Sequence, residues 1–210
     1  MKKEERGIFV VLEGLDCSGK TTQALLLKEK LEELKLPAEF FRFPTRTGPI
    51  GRALHDYLRF GGGVDDHALH LLFSADRWTK AREIEDLLKT GIHVVADRYA
   101  HSGFAYSVAK GLDFDWCVQP DKGLPRPDLV LFLDARPENL MLRRNSDQEV
   151  FETPEFQAQV YNVYRDNLQD TSWRSIDATQ DESIVHQDIV GYFLLNAQDK
   201  AITQSPISYF

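Results

Sequence analysis

Cysteine is scarce in this chain. Cys17 and Cys117 are the only two among 210 residues, which is too few for a disulfide framework or a metal-binding spacing. A reducing compartment is therefore expected, the cytoplasm and also the nucleus. Long apolar runs are missing too, so the sequence shows no signal peptide and no segment that could span a membrane.

Positive charge is also in short supply. The chain has 25 Lys and Arg against 33 Asp and Glu, which gives a formal net charge of −8. A general nucleic-acid-binding protein needs a basic surface, so we expect no nucleic acid as partner. Low-complexity tracts and repeats are absent, and we expect one domain over residues 1–210. If such an acidic chain binds phosphates, it must gather its cations locally.

The most informative motif that is present lies near the N-terminus. Residues 14–21 have the pattern G-x-x-x-x-G-K-T and follow the apolar run 8–12. In a phosphate-binding loop the glycines let backbone N–H groups wrap an anion, a Lys contacts the β- and γ-phosphates, and the hydroxyl binds Mg²⁺. We expect ATP and Mg²⁺ here, on Gly14, Leu15, Asp16, Cys17, Ser18, Gly19, Lys20, Thr21 and Thr22.

Alternating patterns extend over the rest of the chain. Besides 8–12, buried strands are predicted at 38–43, 91–97, 128–134 and 173–178. Helical patterns lie between them, at about 22–34, 50–59, 65–88, 104–110, 137–144, 154–170 and 182–201. This order predicts an α/β fold of three α/β/α layers, with a five-stranded parallel sheet and ligands at the carboxyl ends of its strands.

Three polar residues lie at or just after the ends of predicted strands. Asp97 suits a carboxylate that reaches Mg²⁺ or its water shell, although it could instead cap the next helix. Arg98 comes directly after it. Arg46 follows Pro44, whose fixed φ stiffens the turn. Arg binds phosphate through paired N–H donors, so phosphate binding and a solvated surface position both stay open for the two arginines.

Phe73 and Arg77 lie four residues apart and share one face of a predicted helix. Phe could stack on a flat base while Arg, one turn later, reaches the base edge. Thymine and uracil present an O4 acceptor where cytosine presents an N4 donor, so Arg would favour a keto pyrimidine. Spacing alone nevertheless favours a core Phe and a surface Arg.

With Phe43-Pro44-x-Arg46, Phe73-x-x-x-Arg77 and Asp97-Arg98-Tyr99 in place, the chain resembles thymidylate kinases of the eukaryotic type from about residue 7 to its end. Segments 12–16, 70–78, 115–121 and 125–133 also match. The resemblance implies the P-loop nucleoside monophosphate kinase fold and transfer of the ATP γ-phosphoryl group to thymidine monophosphate (dTMP), with Mg²⁺, in dTTP biosynthesis. It also implies a homodimer, for which helix 65–88 could serve.

The resemblance also implies roles for the dTMP site. Phe73 would stack on thymine and Arg77 would contact its O4, while Arg46 and Arg98 would hold the phosphate. The implied substrate-binding set, with Asp16 at the sugar 3′-hydroxyl and Tyr106 at its 2′ position, is Asp16, Phe43, Arg46, Phe73, Arg77, Arg98, Ser102, Gly103, Tyr106 and Phe151.

On the ATP side, Arg143 would stack on adenine. The implied catalytic residues are Lys20, Arg98, Asp97 and Asp16, with Thr21 and Asp97 at the metal. A lid is expected at about 143–153. The acceptor phosphate has a second pKa of about 6 and is mostly ionised, so no general base is required. The site must instead bring two anions into line.

One departure from the family's sequence pattern bears on the expected rate of phosphoryl transfer. Many members have an arginine in the phosphate loop where Cys17 stands, and others have basic residues in the lid, which residues 145–152 lack. The arginine that stabilises the transition state is thus unassigned, with Arg98, Arg143 and Arg144 as candidates.

Two other classes stay open. One is another nucleoside monophosphate kinase, or a deoxynucleoside kinase in which Glu13 would act as base. The other is a regulatory nucleotide-binding protein with little catalysis, which Cys17 alone favours. A switch GTPase is not supported, because no Asn-Lys-x-Asp motif occurs.

Overall fold

A parallel sheet forms the centre of the molecule. The computed structural model describes residues 5–140, 143, 150–151 and 153–210. Within them, five strands pair in the order β2-β3-β1-β4-β5, all in parallel. They are β1 (Phe9–Gly14), β2 (Ala38–Arg42), β3 (His93–Asp97), β4 (Leu129–Asp134) and β5 (Trp173–Asp177). The five-stranded parallel α/β fold predicted from the sequence is confirmed.

Helices connect these strands and pack on the sheet. They are α1 (Lys20–Glu33), α2 (Gly48–Phe60), α3 (Asp66–Lys89), α4 (Ala100–Ala109), α5 (Phe114–Val118), α6 (Pro137–Leu140), α7 (Pro154–Asn167), α8 (Glu182–Gln198) and α9 (Lys200–Thr203). Helix α1 packs beside α8, and helix α4 packs beside α3 and α7. In the described ranges, no helix combines the length and apolar character needed to cross a bilayer.

The core lies along the inner strands. Every residue of β1 and β3 is buried, and in β4 only the last, Asp134, is not fully so. Parallel strands covered by helices on both faces need apolar side chains on both faces, which explains the near-continuous apolar runs of these segments. The polar side chains buried in these strands are His93 at the start of β3, and Glu13 and Asp97 near the carboxyl ends, where the site lies.

Helix α4 begins at Ala100, four residues before the predicted start at 104. The Glu13 carboxylate explains the difference. Its Oε1 accepts hydrogen bonds from the backbone N–H groups of Tyr99, at 2.9 Å, and Ser102, at 3.1 Å. These groups would otherwise be orphan donors at the helix N-terminus. A cap from a distant strand leaves no local sequence signal, so the predicted start was wrong.

A further boundary and two missed elements need correction. The helix predicted at 182–201 is interrupted at Asp199, which caps α9 by accepting from the Ala201 N–H at 2.8 Å. Helix α5 and the 3₁₀ turn Gln119–Asp121 were not predicted. The predicted lid at 143–153 falls largely outside the described residues, and so does Arg144.

Three strand ends meet at one edge of the sheet. In the register of the parallel pairs, Asp97 lies opposite Leu12 of β1 on one side and opposite Arg42 of β2 on the other. The chain leaves β1 towards β2 on one side and leaves β3 towards β4 on the other, which makes this edge a topological switch point. Ligands of open α/β sheets bind at such a place.

Candidate active site

A cleft of about 460 Å³ opens at this edge. All ten residues of the predicted substrate-binding set line it. Its charged lining consists of seven cationic side chains and three carboxylates, namely Lys20, Arg42, Arg46, Arg77, Arg98, Lys110 and Arg143 with Asp16, Asp76 and Asp97. In a chain of net charge −8, this is a local concentration of positive charge, and it favours an anionic ligand.

The phosphate loop joins β1 to α1. Its Gly14, Cys17 and Gly19 have φ angles of 148°, 63° and 94°. A Cβ on Gly14 would lie 2.9 Å from the Leu133 carbonyl oxygen, so only glycine fits there. The loop ends at the N-terminus of α1, where backbone N–H groups and the helix dipole favour an anion. Of the predicted ATP-binding residues, Gly14, Leu15 and Ser18 do not line the cleft.

Lys20 is buried beneath this loop. Its Nζ donates to the Leu15 carbonyl and lies 3.4 Å from Ser18 Oγ. Burial, and then the Arg98 charge, lower the pKa of Lys20 to about 8. The ammonium group is thus protonated at neutral pH but incompletely compensated, which favours an added anion.

Thr21 and Asp97 meet across the loop. Thr21 Oγ1 donates to Asp97 Oδ2 at 2.5 Å, and the Arg42 Nε lies 3.6 Å from the same oxygen. Asp97 Oδ1 is buried and has no hydrogen-bond partner in the part of the chain described. A hydroxyl beside an unsatisfied carboxylate oxygen fits Mg²⁺, which takes oxygen ligands. The described residues contain no group of three His, Cys, Asp or Glu that could hold a metal alone, so phosphate and water oxygens would complete the set.

Arg98 follows β3 with a φ of 66° and turns into the cleft. Its Nη1 donates to the Gly14 carbonyl at 3.2 Å and to Ser102 Oγ at 3.0 Å, and its Nη2 donates to Asp16. The Tyr106 hydroxyl donates to Asp16 Oδ2 at 2.8 Å. Burial acts to raise the pKa of Asp16, but the Arg98 and Lys20 charges outweigh it and lower that pKa. Asp16 is therefore ionised at neutral pH.

Gln157 of α7 is a site residue that the sequence did not reveal. Its Nε2 donates to Asp16 Oδ2 at 2.9 Å and to the Phe151 carbonyl at 2.8 Å, and its Oε1 accepts from the Asp16 N–H at 3.3 Å. It lies 141 positions from Asp16 in the chain, so no local pattern links them. Gln157 thus ties the phosphate loop to the segment at Phe151.

The Glu13 carboxylate is fully engaged. Besides the two N–H groups at the start of α4, it accepts from Ser102 Oγ at 2.5 Å and from the Tyr164 hydroxyl at 2.9 Å, both on Oε2. Glu13 is completely buried and does not line the cleft. These contacts make it a structural anchor for α4 and for Ser102, and they leave it no access to a substrate hydroxyl.

Arg77 is not a surface residue, so the plainer interpretation of the Phe73 and Arg77 spacing was wrong. Its side chain is 2% exposed, and Nη2 donates to the buried carboxylate of Asp121 at 2.7 Å. Both Phe73 and Arg77 line the cleft from α3. An aromatic ring and a guanidinium, about one helical turn apart, are therefore presented together to the cleft.

The loop after β2 is held by Asp76 of α3, which the sequence did not single out. Thr45 donates to it twice, from its N–H at 2.7 Å and from Oγ1 at 2.5 Å. Arg46 follows on this loop, is exposed, and donates from Nη1 to His55 Nδ1 at 2.7 Å. The predicted stiff turn is thus secured by a carboxylate next to Arg77.

Arg143 also lines the cleft, and its Nη1 donates to the Ala178 carbonyl at 3.1 Å. Phe151 stands near the Tyr106 ring, with 6.0 Å between the ring centroids, and the Lys110 Nζ lies 4.1 Å from the Phe151 ring centroid. Lys110 and Arg42 are lining cations that the sequence did not single out. The sequence could have indicated Arg42 as a site residue, because it ends β2 just as Asp97 ends β3.

Comparisons with known proteins agree with one another. A family model described as thymidylate kinase matches residues 12–189. The thymidylate kinase of Dictyostelium discoideum is 42% identical over 190 residues, which are 90% of this chain and 86% of that protein. That of Homo sapiens is 42% identical over 187 residues, 88% of each chain. The solved structure of thymidylate kinase from Candida albicans has a TM-score of 0.88 at 33% identity and covers 98% of both chains.

Proposed function

The chain belongs to the thymidylate kinase family, and we infer that it transfers the γ-phosphoryl group of ATP to dTMP, giving dTDP and ADP. It is thus a phosphotransferase whose acceptor is a phosphate group. The observation that carries this conclusion is the shared cleft, which residues of the phosphate loop line together with Phe73 and Arg77. A donor triphosphate and a pyrimidine monophosphate can meet between them.

For the donor, we propose that the loop N–H groups and Lys20 hold the ATP phosphates and that Arg143 stacks on adenine. Thr21 and Asp97 would hold Mg²⁺, which when bound would neutralise charge on the β- and γ-phosphate oxygens. The unsatisfied Oδ1 of Asp97 supports this role. The Arg143 contact with the Ala178 carbonyl holds the guanidinium beside the turn after β5, which supports an adenine site there.

For the acceptor, we propose that Phe73 stacks on thymine and Arg77 donates to its O4. Arg46 and Arg98 would bind the dTMP phosphate. Asp16 would receive the sugar 3′-hydroxyl, with Phe43, Ser102, Gly103, Tyr106 and Phe151 completing the wall of the site. The position of all of them on one cleft supports the set.

The cationic residues promote the reaction by holding the two nucleotides in position. Arg98 donates to Asp16 and to Ser102, so its guanidinium is oriented before a phosphate arrives. Lys20 and the arginines would hold two mutually repelling anions in line and shield the charge that passes between them. No proton need be removed from an ionised phosphate monoester, so the reaction needs no general base.

The alternative of a nucleoside kinase is not favoured. Such an enzyme needs a base within reach of the substrate hydroxyl. Glu13, the residue considered for that role, is buried and accepts four hydrogen bonds within the protein.

A homodimer through α3 is part of the proposal. It is supported by two large apolar side chains that α3 leaves exposed, Leu71 at 47% and Trp78 at 43%. Light scattering of the purified protein would show twice the mass of the chain if the proposal holds. A cytoplasmic or nuclear location stays a prediction.

A coupled assay for ADP tests the function. The protein is incubated with ATP, Mg²⁺ and, in turn, dTMP, dUMP, dCMP, AMP and thymidine. We expect turnover with dTMP, much less with dCMP, and none with thymidine. Lys20→Ala is the control for contaminating kinases and should be inactive. Turnover with AMP or thymidine in preference to dTMP would reject the proposal.

A further inference from the structure

We propose that Asp121 is a positioning residue that sets base selectivity through Arg77. The proposal rests on the proposed function, since it concerns how the dTMP site recognises its base. Asp121 lies in the 3₁₀ turn after α5, is completely buried, and does not line the cleft. It therefore acts on a substrate only through the side chains that it contacts.

The contact with Arg77 is a buried ion pair. Arg77 Nη2 donates to Asp121 Oδ2 at 2.7 Å, with side-chain exposures of 2% and 0%. The other carboxylate oxygen, Oδ1, accepts from Ser74 Oγ at 2.6 Å. Because both oxygens are engaged, the carboxylate cannot rotate freely. Ser74 stands on α3 nearly one turn before Arg77, so the turn and the helix hold the pair from two sides.

A second element confines the same guanidinium. Gly103 of α4 faces it so closely that a Cβ there would lie 2.9 Å from both Nη1 and Nη2. In the part of the chain that the structure describes, Arg77 Nε is buried and has no hydrogen-bond partner. The guanidinium is thus fixed by Asp121 at one nitrogen and bounded by a glycine backbone along its length.

This arrangement determines what a base can meet. With Nη2 engaged by Asp121, Arg77 presents to the cleft only N–H donors in a fixed direction. A keto oxygen can accept from them, whereas the N4 amino group of cytosine would set donor against donor. Asp121 also compensates a cation that is costly to keep out of water. If the carboxylate were lost, the guanidinium would be free to rotate or to bind water. The site would then discriminate less between thymine and cytosine.

Asp121→Asn tests the proposal, with Asp115→Asn as its control. Asp115 lies nearby on α5 but is exposed and outside the cleft. For Asp121→Asn we expect KM for dTMP to rise about tenfold, the size of one lost hydrogen bond to a charged group. The dTMP preference over dCMP should fall by a similar factor. KM for ATP should stay unchanged, and Asp115→Asn should behave like the wild type.

A double variant separates positioning from a general structural effect. In an Arg77→Met background, Asp121→Asn should cause no further loss of base preference, because the residue through which Asp121 acts is gone. An equal loss of preference in both backgrounds would overturn the proposal. So would an Asp121→Asn single variant that keeps the wild-type preference.

If Asp121→Asn does not fold, Ser74→Ala decides. It removes the hydrogen bond to Oδ1 and leaves the ion pair in place, so a smaller loss of base preference is expected, and an unchanged preference would overturn the proposal. If the proposed function itself were wrong, the wild-type protein would show no preference for dTMP, which distinguishes that outcome from a wrong role for Asp121.

Discussion

Thr21 Oγ1 donates to Asp97 Oδ2 across 2.5 Å, although the two residues lie 76 positions apart in the chain. The first belongs to the phosphate loop and the second to the end of β3. Their contact brings the two sequence-predicted Mg²⁺ ligands together at one point of the cleft. Asp97 Oδ1, buried and unsatisfied among the described residues, marks where a cation or its water shell would be accommodated.

Replacing Asp97 by Asn should weaken Mg²⁺ use. The amide can still accept from Thr21, but it removes the negative charge. We expect the Mg²⁺ concentration for half-maximal rate to rise about 10–100-fold, with KM for dTMP little changed. A magnesium titration of the initial rate measures this, with Asp115→Asn as control. An unaltered titration curve would mean that Asp97 does not hold the metal.

ATP binding should weaken as pH rises above about 8, the pKa of Lys20. Below this pH Lys20 is charged and attracts phosphate. Above it, Lys20 of the free protein is neutral and must take up a proton when ATP binds. The loss approaches tenfold per pH unit until the pKa of Lys20 in the ATP complex is reached, which the bound phosphates raise. Titration calorimetry with a non-hydrolysable ATP analogue at pH 7 to 9.5 tests this. Lys20→Arg, charged throughout, should give a flatter profile, and a flat wild-type profile would contradict the account.

Glu13→Gln separates an anchor from a base. As an anchor of α4, Glu13 should matter mainly for stability, so the free energy of unfolding should fall by about 1–3 kcal/mol. The kcat should fall less than tenfold. A catalytic base would instead cost about 10²–10⁴ in rate. Urea denaturation and steady-state kinetics on one preparation decide between the two roles. A variant that folds but is nearly inactive would indicate that Glu13 acts as a catalytic base.

Gly103→Ala should damage dTMP binding alone. The added Cβ would meet both terminal nitrogens of Arg77 at 2.9 Å and displace the guanidinium. We expect KM for dTMP to rise about tenfold, equivalent to about 1.4 kcal/mol, without change in KM for ATP. Gly191→Ala on α8 is the matched control, because nothing lies within 4 Å of its Cβ position. Equal effects of both variants would disprove the specific clash.

Cys17→Arg should raise the rate. Transition-state arginines in phosphoryl transfer are worth about 10³–10⁵ in kcat, and Arg42 and Arg98, which line this cleft, would supply part of that charge. We therefore expect a gain of about tenfold in kcat and little change in either KM. Cys17→Ser should have no effect. An unchanged kcat with normal ATP binding would mean that the existing arginines suffice.

Much of the site was predictable from the sequence because its residues belong to local patterns. The phosphate loop is contiguous, and Asp97 is found by the rule that parallel strands end at one edge. The helix start at Ala100 was not predictable, since the cap comes from Glu13 on another strand. Burial of Arg77 was missed for the same reason, because its partner Asp121 lies 44 positions away.

A crystal structure with dTMP and a non-hydrolysable ATP analogue would show directly how both nucleotides occupy the cleft. We expect thymine against the Phe73 ring with its O4 at Arg77. We expect the dTMP phosphate between Arg46 and Arg98, facing the γ-phosphate on the loop at Lys20. If dTMP bound outside this cleft, or with its base turned away from Arg77, the proposed mode of recognition would be wrong.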